Sequence, residues 1–294
     1  MSQWDGKSKG KVLGYKIFIF FIQKLGIKSA YFILYFVSFY YLLFSVQGTK
    51  ANLNYFHKRL GFSKLRSFLK VYKSNFIFGQ TIIDKVAISF GLGNKFTYNH
   101  DGGEVIKELL KNKKGGILIS AHVGNFEIAE YFFSEIDEFS QINLVTTDNE
   151  HRAIKDYLES ISIKSSIKFI IIKEDMSHIF SINNALNNNE LICITGDRYF
   201  EGSKILSEEL LGKKANFPAG PFLLGSRLKV PVIFVYVMRE TNKHYHLYAI
   251  EAKFKHKDAQ DLLKKYTESI EKILQKYPYQ WFNYFDFWNE IKRN

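Results

Sequence analysis

Disulfide bonding is excluded by composition, because the chain has a single cysteine, Cys193. Its fold must be held by a packed core suited to a reducing compartment, and the folded part is expected in the cytoplasm. Proline is scarce, at four in 294 residues, and no repeat, low-complexity tract or linker divides the chain. Acidic residues are nearly missing from the first hundred positions, where only Asp5 and Asp84 stand against 15 lysines and arginines. The other 194 residues hold 26 basic and 27 acidic groups, so the formal net charge of +12 originates in the N-terminal third. Several catalytic signatures are missing too. There is no P-loop, no G-x-G-x-x-G after a strand, no pair of histidines four apart around a glutamate, and no G-x-S-x-G elbow around Ser120.

What the chain has in excess is aromatic side chains: 28 Phe, 18 Tyr and 3 Trp, or 17% of its residues. That is too apolar for a disordered protein. A Lys-rich start (Lys7, Lys9, Lys11, Lys16) leads into IFIFFI and then into SAYFILYFVSFYYLLFSV over 29–46. The first run is too short for a signal peptide and lacks a small-residue cleavage site. The second is just long enough for a bilayer span, which takes about 20 residues. Basic residues flank it on both sides, with Lys24 and Lys28 before and Lys50, Lys58, Arg59, Lys64 and Arg66 after; eight of its 18 residues are Phe or Tyr. An interfacial hairpin or re-entrant anchor is therefore expected, with a true span and a buried core helix as rivals.

Residues 51–100 continue basic and amphipathic. Leu60, Leu65, Phe68, Leu69, Tyr72 and Phe76 share one helical face, while Lys64, Arg66, Lys70 and Lys73 supply charge on the others. Such a surface is either a solvated helix face or a seat for lipid headgroups or an acidic partner. The expected organisation is a membrane-associating helical region over 1–100 followed by an α/β domain over 101–294.

After Asp101, short apolar runs alternate with helical periods. GGILIS (115–120), INLVT (142–146), IKFIII (167–172), ELICIT (190–195) and PVIFVYV (231–237) read as strands. Helices are expected near 125–133, 150–160, 176–187 and 220–228. A last helix over 258–277 carries Leu263, Tyr266, Ile270, Ile273, Leu274 and Tyr277 and stops at Pro278. The pattern predicts an α/β fold with a central, largely parallel sheet flanked by helices. Ligands in such folds sit beyond the strand ends, which draws attention to His122 after GGILIS and Asp197 after ELICIT.

His122, Gly124, Asn125 and Glu127 form the constellation that can carry chemistry. Five residues apart on one helix, His122 and Glu127 would point about 140° apart, but Gly124 allows a turn that brings them together. A carboxylate on one imidazole nitrogen fixes the tautomer and leaves the other as a general base. No nucleophile of the protein's own is placed beside them, so a substrate hydroxyl would attack. Cys193, inside ELICIT, reads as a buried strand residue, and His151, His178, His244 and His246 have no motif around them.

AHVGNFE, an H-x4-E after a strand, resembles the H-x4-D/E motif of the late acyltransferases of lipid A biosynthesis, grouped at times with lysophospholipid acyltransferases. Also similar, in the same order, are an N-terminal membrane-associating segment, GDR at 196–198, LLGKKANFPAGPFLLGSRLKVPVIFVY at 210–236 and the tail YPYQWFNYFDFW at 277–288. The tail departs from the family pattern by placing Asp286 and Phe287 where basic residues are common. The resemblance implies an acyltransferase-like fold and O-acyl transfer from an acyl-carrier-protein thioester to a hydroxyl of a membrane glycolipid, of lipid A type or related. It implies His122 as general base, Glu127 as its partner, and Gly124, Asn125, Arg152, Asp197 and Arg198 around the substrate. It requires no metal and no cofactor, the acyl thioester being a co-substrate. The implied partners are the acyl carrier protein, the lipid acceptor and the membrane surface, not nucleic acid, at the cytoplasmic face of the inner (plasma) membrane. Rival readings are a lipid or ester hydrolase with the same dyad, and a non-enzymatic basic protein of membrane surfaces or nucleic acid.

Overall fold

A computed structural model describes residues 19–22, 24–111, 115–125, 128–129, 131, 141–146, 167–173, 175–199 and 202–288. The Lys-rich start, the helix expected near 150–160, and most of that near 125–133 lie outside these residues. Along the chain come α1 (Ile27–Phe44), α2 (Val46–Asn54), α3 (Lys64–Ala87), β1 (Thr97–Asp101), α4 (Gly103–Lys111) and β2 (Gly116–Ser120). β3 (Ile142–Thr146), β4 (Lys168–Ile171), α5 (His178–Asn187) and β5 (Leu191–Thr195) follow. The remainder is β6 (Ile205–Leu210), β7 (Lys213–Pro218), α6 (Ala219–Arg227), β8 (Val232–Arg239), β9 (His244–Glu251) and α7 (Ala259–Lys276).

Seven strands form one sheet in the order β1-β9-β8-β2-β5-β3-β4, and only the β8–β9 pairing is antiparallel. The α/β fold with a largely parallel sheet is therefore as the sequence predicts. β2 and β8, the central strands, are buried at every residue. Their near-continuous apolar sequences follow from having both sheet faces covered.

One face of the sheet packs against α7, α6, α5 and the β6–β7 hairpin, joined by Leu42 near the end of α1 and Val71 of α3; the other packs against the first half of α1, the last turns of α3 and α4. α7 starts where the Asp258 side chain accepts from Asp261 N–H at 2.9 Å, and it buries Leu262, Leu263, Tyr266, Ile270, Ile273 and Leu274 at helical spacing. Burying each of these is worth about 1.5–3 kcal/mol.

Four strands were not legible in the sequence. β1 (TYNHD) is a polar edge strand with no apolar period. β6 and β7 join through Leu211 and Gly212, both at positive φ (52° and 73°), the geometry of a two-residue hairpin turn. β9 is the antiparallel partner of β8 and departs from the strand-helix alternation.

α1 lies antiparallel along α3. Ile27, Ala30, Tyr31, Leu34, Ser38 and Leu42 form its buried stripe. A Cβ at Gly79 would stand 2.2 Å from Leu34, so glycine there permits the close helix approach. The opposite side of α1 exposes Phe32, Tyr35, Phe36, Phe39, Tyr40, Leu43 and Phe44, and the start of α3 adds Leu65, Phe68 and Leu69. Ile27–Phe44 and Lys64–Lys95 are both long and apolar enough to cross a membrane.

Candidate active site

The register of two parallel strands builds the site. Ser120 at the end of β2 pairs with Thr195 at the end of β5. The residues two positions beyond each end, His122 and Asp197, therefore emerge side by side. This is also where the sheet order reverses, since the chain leaves β2 toward β3 on one side and later adds β8 on the other. Such a switch point is the usual ligand crevice of an open α/β sheet.

Asp197 Oδ1 lies 2.8 Å from His122 Nδ1, and Asp197 Oδ2 accepts from the His122 backbone N–H at 3.0 Å. The carboxylate is buried, at 2% exposure, whereas the imidazole is 23% exposed. Burial pushes the Asp197 carboxyl up, but the His122 ring, its hydrogen bonds and the Arg198 charge outweigh it and bring the group down to about 2. An ionised carboxylate only accepts, so Nδ1 carries the proton. The basic lone pair of the neutral ring is then on Nε2.

The turn carrying His122 is clamped from three directions. Gly124 has φ +68°, and a Cβ there would stand 2.2 Å from Val237 O, so both conformation and space call for glycine. Its N–H donates to Gln280 O at 2.8 Å, and Asn125 N–H donates to Val237 O at 2.7 Å. The tail after α7 runs alongside, with Phe282 N–H donating to His122 O at 2.9 Å. Asn125 Nδ2 donates to Thr81 O at 3.0 Å, which ties the turn to α3.

The structure brings together five of the seven expected site residues: His122, Gly124, Asn125, Asp197 and Arg198. Asn125 and Asp197, expected beside the substrate, direct their polar atoms into the protein instead. Asp197 stands behind His122, in the orienting position expected of Glu127. Glu127 and Arg152 lie outside the described residues. Arg198 donates from Nε to Asn283 Oδ1 at 3.1 Å and from Nη2 to Phe282 O at 2.9 Å. Ser120 Oγ donates to Val235 O at 2.7 Å, a core contact and not a nucleophile's pose. Among the described residues, no group of three or more His, Cys, Asp or Glu could hold a metal ion.

Sequence reasoning missed Gln280 and Asn283, which sit in the quoted tail pattern without a role. Gln280 Oε1 accepts from Arg239 N–H at 2.9 Å and its Nε2 donates to Arg239 O at 2.7 Å, docking the tail onto the end of β8.

Residues 78–288 match the family model described as bacterial lipid A biosynthesis acyltransferase. The match starts inside α3 and runs through the sheet, both strand ends of the site and the tail. In a comparison with curated proteins, none matches the chain.

Proposed function

Because the chain belongs to the bacterial lipid A biosynthesis acyltransferase family, we propose that it moves a fatty acyl group from an acyl-carrier-protein thioester to a hydroxyl of a membrane glycolipid, lipid A-type or related. The observation that carries this reading is the contact of His122 Nδ1 with buried Asp197 at the switch point of the sheet. The acceptor hydroxyl gives its proton to His122 Nε2 as its oxygen attacks the thioester carbonyl. The new C–O bond forms, the C–S bond breaks, and the departing sulfur takes the proton from the imidazolium. Ester and thiol result, and the ring returns to neutral. Asp197 holds the tautomer and stabilises the transient cation, an effect of general-base assistance worth about 10²–10⁴-fold in rate.

The acceptor is a lipid, and the outer side of α1 supports a seat on the membrane. Its aromatic residues are those that favour the headgroup level, and Lys58, Lys64 and Arg66 near its exposed end suit anionic headgroups. Two observations favour lying in one leaflet over spanning. Tyr31 on α1 and Asp84 on α3 are bonded into the buried side of the sheet, with Arg239 Nε donating to Asp84 Oδ2 at 3.1 Å and Arg239 Nη2 donating to Tyr31 Oη at 3.0 Å. Both helices are thereby fastened to the globule. The basic surface also suits an acidic carrier protein as donor.

Mass spectrometry of total lipid from cells with the gene removed and restored tests the reading. A lipid that loses one acyl mass on removal and regains it on restoration is expected, and names acceptor and chain together. Free fatty acid released by the purified protein, with no acylated lipid formed, would assign the hydrolase reading instead.

A further inference from the structure

Asn283 is buried in the tail beyond α7, at 6% exposure, in a segment with no regular secondary structure. Its place is fixed by aromatic packing on both sides. Phe282 packs on Phe78 of α3, with ring centroids 4.9 Å apart, and Trp281 packs on Tyr55, Phe287 and Trp288 at 4.7, 5.1 and 5.0 Å. So large an anchor delivers one amide to one spot. There, Asn283 Nδ2 donates to Asp197 Oδ2 at 3.2 Å and Asn283 Oδ1 accepts from Arg198 Nε at 3.1 Å.

The chemistry of the neighbours fixes which way the amide faces. A carboxylate only accepts and a guanidinium only donates, so nitrogen must meet Asp197 and oxygen Arg198. We infer that Asn283 is a positioning residue for the His122–Asp197 pair, fixing the carboxylate plane and holding the Arg198 guanidinium one amide away from it. With Oδ2 held by two N–H groups, rotation about the Asp197 Cβ–Cγ bond would break both, so Oδ1 stays aimed at His122 Nδ1. The amide also spaces the pair. Without it, Arg198 can fold onto Asp197 and compete for the oxygen that orients the imidazole. Aspartate at this position could hold Arg198 but not donate to Asp197, and alanine could do neither.

The kinetic consequence rests on the acyl-transfer reading above; the titration of His122 does not. Among the described residues, Arg198 is the charge that acts on Asp197 besides His122. Tyr236 and Tyr266, which feel the Asp197 charge, and Tyr284, which feels that of Arg198, are all pushed by burial above their ordinary range and stay neutral at working pH.

The test follows the His122 ring by NMR in detergent-solubilised full-length protein, for wild type, Asn283→Asp and Asn283→Ala, alongside kcat and KM from pH 5 to 9. Asn283→Asp adds a negative charge to the cluster. It should raise the imidazolium pKa by about one unit, cutting kcat/KM about tenfold on the acid side and little on the alkaline side. Asn283→Ala should lower kcat about tenfold or more with KM unchanged. An unshifted His122 titration in Asn283→Asp, or losses in either variant that are uniform in pH and follow the fraction unfolded, would overturn the inference. If Asn283→Asp does not fold, the kcat against KM split of Asn283→Ala decides. A shifted titration in a protein that transfers no acyl group would leave the positioning role standing and remove the acyltransferase reading.

Discussion

Two carboxylates are buried at the same edge of the sheet, and their partners set them apart. Asp84 on α3 receives the hydroxyls of Tyr31 and Tyr245 and the guanidinium Nε of Arg239 at 3.1 Å. Gln80 Oε1 and Asn242 O accept further N–H groups of that guanidinium at 3.0 Å each. Arginine keeps its charge at any working pH, and its side-chain partners in this network, Tyr31, Gln80 and Asp84, are buried. Asp197 is as deeply buried, but it holds an imidazole that reaches the surface, a ring able to take up and release a proton. A carboxylate paired with a permanent cation fastens one layer to another. Paired with a titratable, partly exposed ring, it prepares a base.

The contrast can be broken at either end. The largest stability effect is expected from Asp84→Ala, which leaves the Arg239 guanidinium buried without its counterion. A loss of about 3–5 kcal/mol in denaturant unfolding should follow, with turnover per folded molecule kept. A loss of turnover without a loss of stability would place Asp84 in the chemistry and end the distinction.

A smaller effect belongs to acid. The native Asp197 carboxyl, at about 2, lies below its unfolded value, so its contribution is present above about pH 4 and is lost as pH falls through about 2. That contribution is on the order of 2 kcal/mol. Unfolding free energies measured across this window should show the decline in wild type and not in Asp197→Asn. Identical curves would contradict the pairing.

The two carboxylates also mark how far the sequence could be read. His122 and Asp197 were both visible as residues just past apolar strands, because buried parallel strands leave near-continuous apolar runs with a turn behind them. Their partnership was not visible. It depends on β5 lying next to β2 in the sheet, a contact between residues 75 apart that no local spacing encodes. The network around Asp84 was hidden for the same reason, with Arg239 155 residues away. Asn283 carries its signal only through aromatic anchors in an irregular segment. For α1 the length and the basic flanks were plain, but a run apolar on all sides does not tell which stripe meets α3 and which stays outside.

The central claim is that His122 is a base held by Asp197, and His122→Asn tests it most directly. The shorter amide keeps a donor near the place of Nδ1, preserving the bond to Asp197, and removes Nε2. Acyl transfer from carrier-protein thioester to lipid should fall about 10²–10⁴-fold while the folded, membrane-bound fraction stays at the wild-type level. Transfer within a few-fold of wild type by the same folded protein would contradict the account.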